Sequence, residues 1–170
     1  STVQKETIMG SGGTVYASPE SLYIATSRYS YPEVGVFDIW APPMGQQTTA
    51  LFRFSLESNG EVKYVSKGEV KGNLLNQFSM DEHENAFRVV TSSENYFGRT
   101  HTTKNSLIIL DRNNLETVLG KIENIAPGEQ LHSVRFIGKR AYMVTFKYID
   151  PFFVIDVGDP RNPKVLGELK

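Results

Sequence analysis

The sequence predicts an all-β fold assembled from repeated four-stranded units. Three observations carry this expectation. Almost no stretch keeps apolar residues at helical spacing, many short runs alternate or stay apolar between Gly, Pro, Asn and Asp, and three elements recur in a fixed order.

Strands are expected at 14–17, 22–26, 51–56, 62–66, 87–91, 107–111, 134–137, 141–146 and 152–157. Between them lie Ser18-Pro19-Glu20-Ser21, Ser58-Asn59-Gly60, Asp81-Glu82-His83-Glu84-Asn85, Arg112-Asn113-Asn114, Gly138-Lys139 and Gly158-Asp159-Pro160. These residues tolerate or preset turn dihedrals, so each break is short enough for a hairpin.

The first recurring element is an apolar strand closed by Thr: Leu22-Tyr23-Ile24-Ala25-Thr26, Phe87-Arg88-Val89-Val90-Thr91 and Ala141-Tyr142-Met143-Val144-Thr145. The second starts at Leu51, Leu107 and Phe152, and its later copies end in Asp111 and Asp156. The third is a Gly, a charged residue and an apolar one: Gly68-Glu69-Val70, Gly120-Lys121-Ile122 and Gly167-Glu168-Leu169. A strand preceding each Thr-closed element, at 14–17, 76–80 and 132–137, completes four strands per unit of roughly 45 to 55 residues, the size of a propeller blade.

The fold expected is therefore a partial β-propeller of about three four-stranded antiparallel blades. A lead-in at 1–13 precedes blades at 14–72, 73–125 and 126–170, with insertions at 27–48 and 92–105 in the same connection of the first two. Insertions at one equivalent connection cluster on one face, where binding is expected. Closed propellers usually carry about four to eight blades, so the chain reads as a fragment of a larger propeller. Its terminal blades are expected to expose apolar faces, giving either self-association or a distorted three-blade arc.

Composition narrows the function classes. At 170 residues, 39% apolar and 22% charged, the chain has the balance of a globular domain. A formal net charge of −1 without a basic block argues against nucleic-acid binding. The absence of cysteine excludes disulfides, thiolate zinc sites and cysteine nucleophiles. Apolar runs such as Phe152-Phe153-Val154-Ile155 fall far short of the ~20 residues that span a bilayer, so no transmembrane helix is expected. No GxSxG elbow, HExxH, Walker loop or dinucleotide fingerprint occurs.

Several runs resemble a known family: Leu75-Asn76-Gln77-Phe78-Ser79-Met80-Asp81-Glu82, Glu123-Asn124-Ile125-Ala126-Pro127-Gly128-Glu129, and Asp150-Pro151-Phe152 continuing through Gly158-Asp159-Pro160. They resemble archaeal and bacterial secreted proteins with a C-terminal β-propeller distantly related to the tryptophan-aspartate repeat propellers. Asp159-Pro160-Arg161-Asn162-Pro163 is also similar to the bacterial propeller repeat ending Asp-Pro-x-x-Pro. The resemblance covers most of 14–170 and is weakest across 29–47. It implies a longer parent protein with an export signal and further blades, placed outside the cell or in its envelope. It carries over no catalytic residues.

Each chemical candidate has a structural reading beside the functional one. Asp81, Glu82 and Glu84, with His83, are the densest ionisable cluster and the only candidates for calcium. At a hairpin tip they read more simply as a solvated turn, and no cofactor is expected. Strand alternation puts His132 on an apolar face with Val134 and Phe136, as a core or channel histidine or a ligand-binding one. His101 lies in the second insertion, and Tyr29, Tyr31 and Trp40 in the first; they either pack their loops or contact a ligand. Asp111 and Asp156 read as turn caps. The function expected is a non-catalytic interaction scaffold for a protein or polysaccharide at the cell surface. The alternatives are a carbohydrate-active hydrolase and a metal-dependent adhesion module.

Overall fold

The computed structural model describes residues 13–30, 46–97, 100–147 and 150–169. Among them, β1 (Gly13–Ala17), β2 (Ser21–Ser30), β3 (Gln46–Leu56) and β4 (Val62–Lys71) form a first antiparallel sheet. A second contains β5 (Met80–His83), β6 (Ala86–Phe97), β7 (Thr100–Asp111) and β8 (Val118–Ile125). The third contains β9 (Gln130–Ile137), β10 (Arg140–Phe146), β11 (Phe152–Asp156) and β12 (Lys164–Leu169). Each sheet is a meander in chain order, as in propeller blades.

The recurring elements fall in matching registers. Ala25 pairs with Leu51, Val90 with Leu107 and Val144 with Phe152, so the first two elements lie side by side in every sheet. Asp111 accepts backbone N–H bonds from Asn113 and Asn114, and Asp156 accepts one from Gly158. Both carboxylates therefore cap the turns after their strands.

The sheets stack face to face. Tyr23, Ala25 and Leu51 of the first pack on Phe87, Val89 and Leu110 of the second. The opposite face of the second, with Val90, Leu107 and Ile109, packs on Val134, Ala141, Met143 and Ile155 of the third. Because the second sheet is covered on both faces, Leu107-Ile108-Ile109-Leu110 is apolar without alternation and buried throughout. Each such side chain contributes about 1.5–3 kcal/mol of transfer free energy.

The recurring glycines are points of close approach between sheets. A Cβ on Gly68 would stand 2.2 Å from the Leu115 carbonyl oxygen, in the β7–β8 turn of the second sheet. One on Gly120 would stand 2.3 Å from the Pro160 carbonyl oxygen, in the β11–β12 turn of the third. Only a residue without a side chain lets the next turn sit there.

The structure differs from the sequence reading at three segments. Residues 77–79 form a 3-10 turn and the strand begins at Met80, because the Asn76 side chain accepts the Phe78 N–H and diverts the backbone from the ladder. Residues 92–97 and 100–105 are not a separate loop: they pair from Ser92 opposite Asn105 to Phe97 opposite Thr100, extending one hairpin. The first insertion is likewise paired near its base, from Ser27 opposite Thr49 to Ser30 opposite Gln46. Tyr31 and Trp40 lie outside the described residues.

Candidate recognition cleft and the polar joint beneath it

Glu82 sits where the first two sheets meet. It comes from the second sheet, yet Tyr23 Oη of the first donates to its Oε2, and Ser18 Oγ donates to Oε1 at 2.9 Å. Arg112 Nη1 lies 3.4 Å from Oε1 and 3.0 Å from Glu20 Oε2, while Arg53 Nε stands 3.9 Å from Glu82 Oε2. The Glu82 backbone N–H donates to Tyr16 Oη at 3.0 Å. Stacked on this network are the Tyr23 and Phe87 rings, 3.9 Å apart at 6°.

The network fixes the protonation states. Burial alone would push the Glu82 carboxyl up; hydrogen bonds from Tyr23, Ser21 and Ser18 and the Arg112 charge outweigh it and hold the carboxyl below its ordinary value. Burial, and then the bond to Glu82, push the Tyr23 phenol far up. Glu82 is thus a fixed anion and Tyr23 a fixed donor, a pairing suited to joining sheets. It does not suit general acid work at neutral pH, which needs a carboxyl that holds its proton.

The second joint uses Arg88, which is 2% exposed. Its guanidinium is paired with Asp81, donates to the Gly138 carbonyl in the β9–β10 turn at 2.6 Å, and lies 5.1 Å from the Phe136 ring centroid. Tyr23 and Arg88 occupy the same repeat position. Each reaches from the second strand of one sheet to the first hairpin of the next.

The cluster at residues 81–84 is accordingly corrected from a solvated turn to a divided one. Glu82 is buried in the first joint, Asp81 is committed to the second, and His83 and Glu84 remain on the surface, with Glu84 at a φ of 53°. Among the described residues no three His, Asp or Glu side chains are grouped to hold a metal ion. His132 is also corrected: it is exposed, not on the apolar face. The β9–β10 register skips it, since Ser133 pairs with Val144 and Leu131 with Thr145. That bulge lets Leu131 and Val134 both point inward and turns His132 out. Asp81, Glu82, Glu84 and His132 do not line one common pocket among the described residues, as a hydrolase site built from them would require.

Two hollows adjoin these groups. The first strands of the three sheets converge on one of about 280 Å³, lined by Val15, Tyr16, Asp81, Arg135 and Phe136. Over it the Arg135 guanidinium caps the Phe78 ring at 3.8 Å. The larger, of about 470 Å³, lies between the stems of the two long hairpins. Gln46, Gln47 and Lys71 line it from the first sheet; Ser93, Glu94, Lys104, Ser106, Glu123 and Asn124 line it from the second.

The cleft has a rigid base. Asn73 and Ser92 exchange backbone hydrogen bonds at 2.8 and 2.9 Å, tying the two sheets together. Gly72, at a φ of 87°, permits this approach, for a Cβ there would meet the Ser92 carbonyl oxygen at 2.7 Å. Asn124 and Ala126 take φ values of 61° and 47° beside it, a conformation costly for Ala. Tyr29 is exposed at the rim, where the Gln47 amide donates to its hydroxyl. His101 lies farther along the second hairpin, in β7 opposite Tyr96. Sequence reading missed the cleft-lining residues, which are ordinary polar side chains brought together only by sheet stacking.

Stacked four-stranded meanders, joined through their first hairpins and fourth strands, define a propeller-type all-β protein. The chain belongs to the family described as Beta propeller domain, which it matches over residues 1–170. It is 46% identical over 106 residues to an uncharacterised protein of Methanocaldococcus jannaschii, a match covering 62% of this chain and 17% of that protein. It is 40% identical over 124 residues to an uncharacterised protein of Archaeoglobus fulgidus, covering 73% of this chain and 18% of that one. The chain thus spans less than a fifth of the relatives it matches. No solved structure matches it.

Proposed function

We propose that this propeller segment is a recognition scaffold of an exported protein, binding a protein or polysaccharide at the cell surface through the face that carries its two long hairpins. The observation that carries the reading is the 470 Å³ cleft between their stems. Its lining mixes two Lys, two Glu, three amides and two hydroxyls. Such a balanced, hydrogen-bonding wall fits the hydroxyl array of a polysaccharide better than an apolar protein anchor. The resemblance of the sequence to secreted propeller proteins supports export.

Binding to a microarray of cell-surface glycans tests this, with hits titrated against the Lys71→Ala/Lys104→Ala double variant. At least a tenfold loss of affinity at unchanged melting temperature is expected, since both lysines are exposed and their removal leaves the core intact. Glycan binding that survives the double variant, or no glycan binding at all, would refute the assignment of the cleft.

A further inference from the structure

The second joint lacks the side chains that fill the first, and the two can be compared position by position. Tyr23 pairs with Arg53 and Arg88 with Ile109, so Ile109 holds the place of Arg53, and Ala86 that of Ser21. The match continues after the third strands. Asn113 and Gly158 donate their backbone N–H to the Asp111 and Asp156 carboxylates, while Arg112 and Val157 donate theirs to the Asn85 and Lys139 carbonyls. Val157 therefore stands where Arg112 does, and Gly158 where Asn113 does.

In the first joint two arginines occupy the space between these positions. Arg53 Nη1 donates to the Arg112 carbonyl and to Asn113 Oδ1, each at 3.2 Å, and its Nε donates to Ser21 Oγ at 3.1 Å. Arg112 Nη1 donates to Glu20 and to Glu82. In the second joint Ile109, Ala86, Val157 and Gly158 replace these four side chains with shorter or apolar ones. A hollow of about 210 Å³ is left between Ala86, Leu119, Val157, Gly158 and Pro160, with His83 and Glu84 at its exposed edge. It lies within the joint of the second and third sheets, so it does not depend on what covers the outer faces of the first and third.

The chemistry of the hollow matches the groups that are missing from it. Ala86, Leu119, Val157 and Pro160 suit the alkyl stem of a long cationic side chain. The Val157 carbonyl holds the place of the Arg112 carbonyl that accepts from Arg53. Arg88, at the floor, is neutralised by Asp81. Glu84, 78% exposed, faces only His83 at 3.9 Å and stands next to Asn85, the match of the Glu20 that holds Arg112.

We propose that this hollow is a binding site for an arginine side chain presented by a protein partner. The alkyl stem lies on Leu119 and Pro160, and the guanidinium donates to the Val157 carbonyl and pairs with Glu84, supplying from outside what Arg53 and Arg112 supply within the first joint. Arginine fits better than lysine, because a planar fork of donors reaches a carbonyl and a carboxylate together. The site is at the opposite end of the strands from the hairpin cleft and is independent of any glycan bound there.

The test titrates the chain with N-acetylarginine methylamide up to about 20 mM, since one side chain binds with about millimolar strength, and follows the backbone amide resonances. The matching citrulline derivative has the same shape without the charge. The expected result is a saturable shift confined to Ala86, Leu119, Gly158 and their neighbours, at least about tenfold weaker for citrulline. Glu84→Gln, an exposed substitution that leaves the core intact, should weaken arginine binding at least about fivefold. Ala86→Leu fills the hollow and should abolish the shift, with β-sheet circular dichroism retained; if it fails to fold, Glu84→Gln still decides. Absence of a shift, equal binding of citrulline, shifts spread over other acidic surfaces or undiminished binding to Glu84→Gln would each overturn the proposal.

Discussion

The two sheet-to-sheet joints solve one packing problem with different chemistry. The joint between the second and third sheets is mostly aliphatic, with Arg88 clamped at its edge. The joint between the first and second is narrower in apolar content and is organised around buried Glu82, held by groups from both sheets. Apolar packing tolerates small losses, because transfer energy is spread over many contacts. A charged hub concentrates the joint in a few bonds, and removing one partner leaves the others buried and unpaired.

The largest expected effect follows directly. Glu82→Ala takes the acceptor from the Tyr23 hydroxyl and the counter-charge from Arg53, both 5% exposed or less, at the joint. A loss of about 3–5 kcal/mol is expected, the range for breaking a buried ion pair from one side. Chemical denaturation followed by hydrogen exchange reads it, with protection lost across β1–β4 while β9–β12 keep theirs. Uniform loss across all three sheets would contradict the separation of the joints.

The recurring glycines break both joints more evenly. Gly68→Ala and Gly120→Ala each push a methyl onto a backbone carbonyl at 2.2 or 2.3 Å, with no flexible side chain to yield. Overpacking of this kind costs about 1–3 kcal/mol, and the two variants should melt alike despite the different chemistry around them. A neutral result for either would mean that its turn shifts freely and that the glycine is not a packing constraint.

These glycines also show what the sequence could and could not disclose. Their repetition was visible as a pattern, and the strands, the three units and the Asp111 and Asp156 caps follow from local residues. Glu82 was not legible, because Asp81-Glu82-His83-Glu84 has the composition of a solvated turn. The partners that bury it, Tyr23 and Arg112, are 59 and 30 residues away. His132 was misplaced for a related reason: alternation assigns faces only in an unbroken ladder, and the β9 bulge interrupts it. The 3-10 turn did have a signal, Asn76 two residues before Phe78, which favours a local side-chain bond over strand pairing.

The smallest effect separates the joints by pH. The Glu82 carboxyl titrates lower in the folded protein than the ordinary value of 4.5 that it takes when unfolded. Its contribution is thus complete above that ordinary value and is lost as the pH falls through the lower, folded one. Unfolding free energy measured between pH 6 and pH 3 should fall at the acid end, and Glu82→Gln should flatten that limb while lowering the plateau at neutral pH. The amide still accepts from Tyr23, so the joint survives, but it no longer offers a charge to Arg112 and Arg53. If Glu82→Gln kept the full acid slope, the pH dependence would belong to other carboxylates, and the contrast between a charged joint and an apolar one would rest on geometry alone.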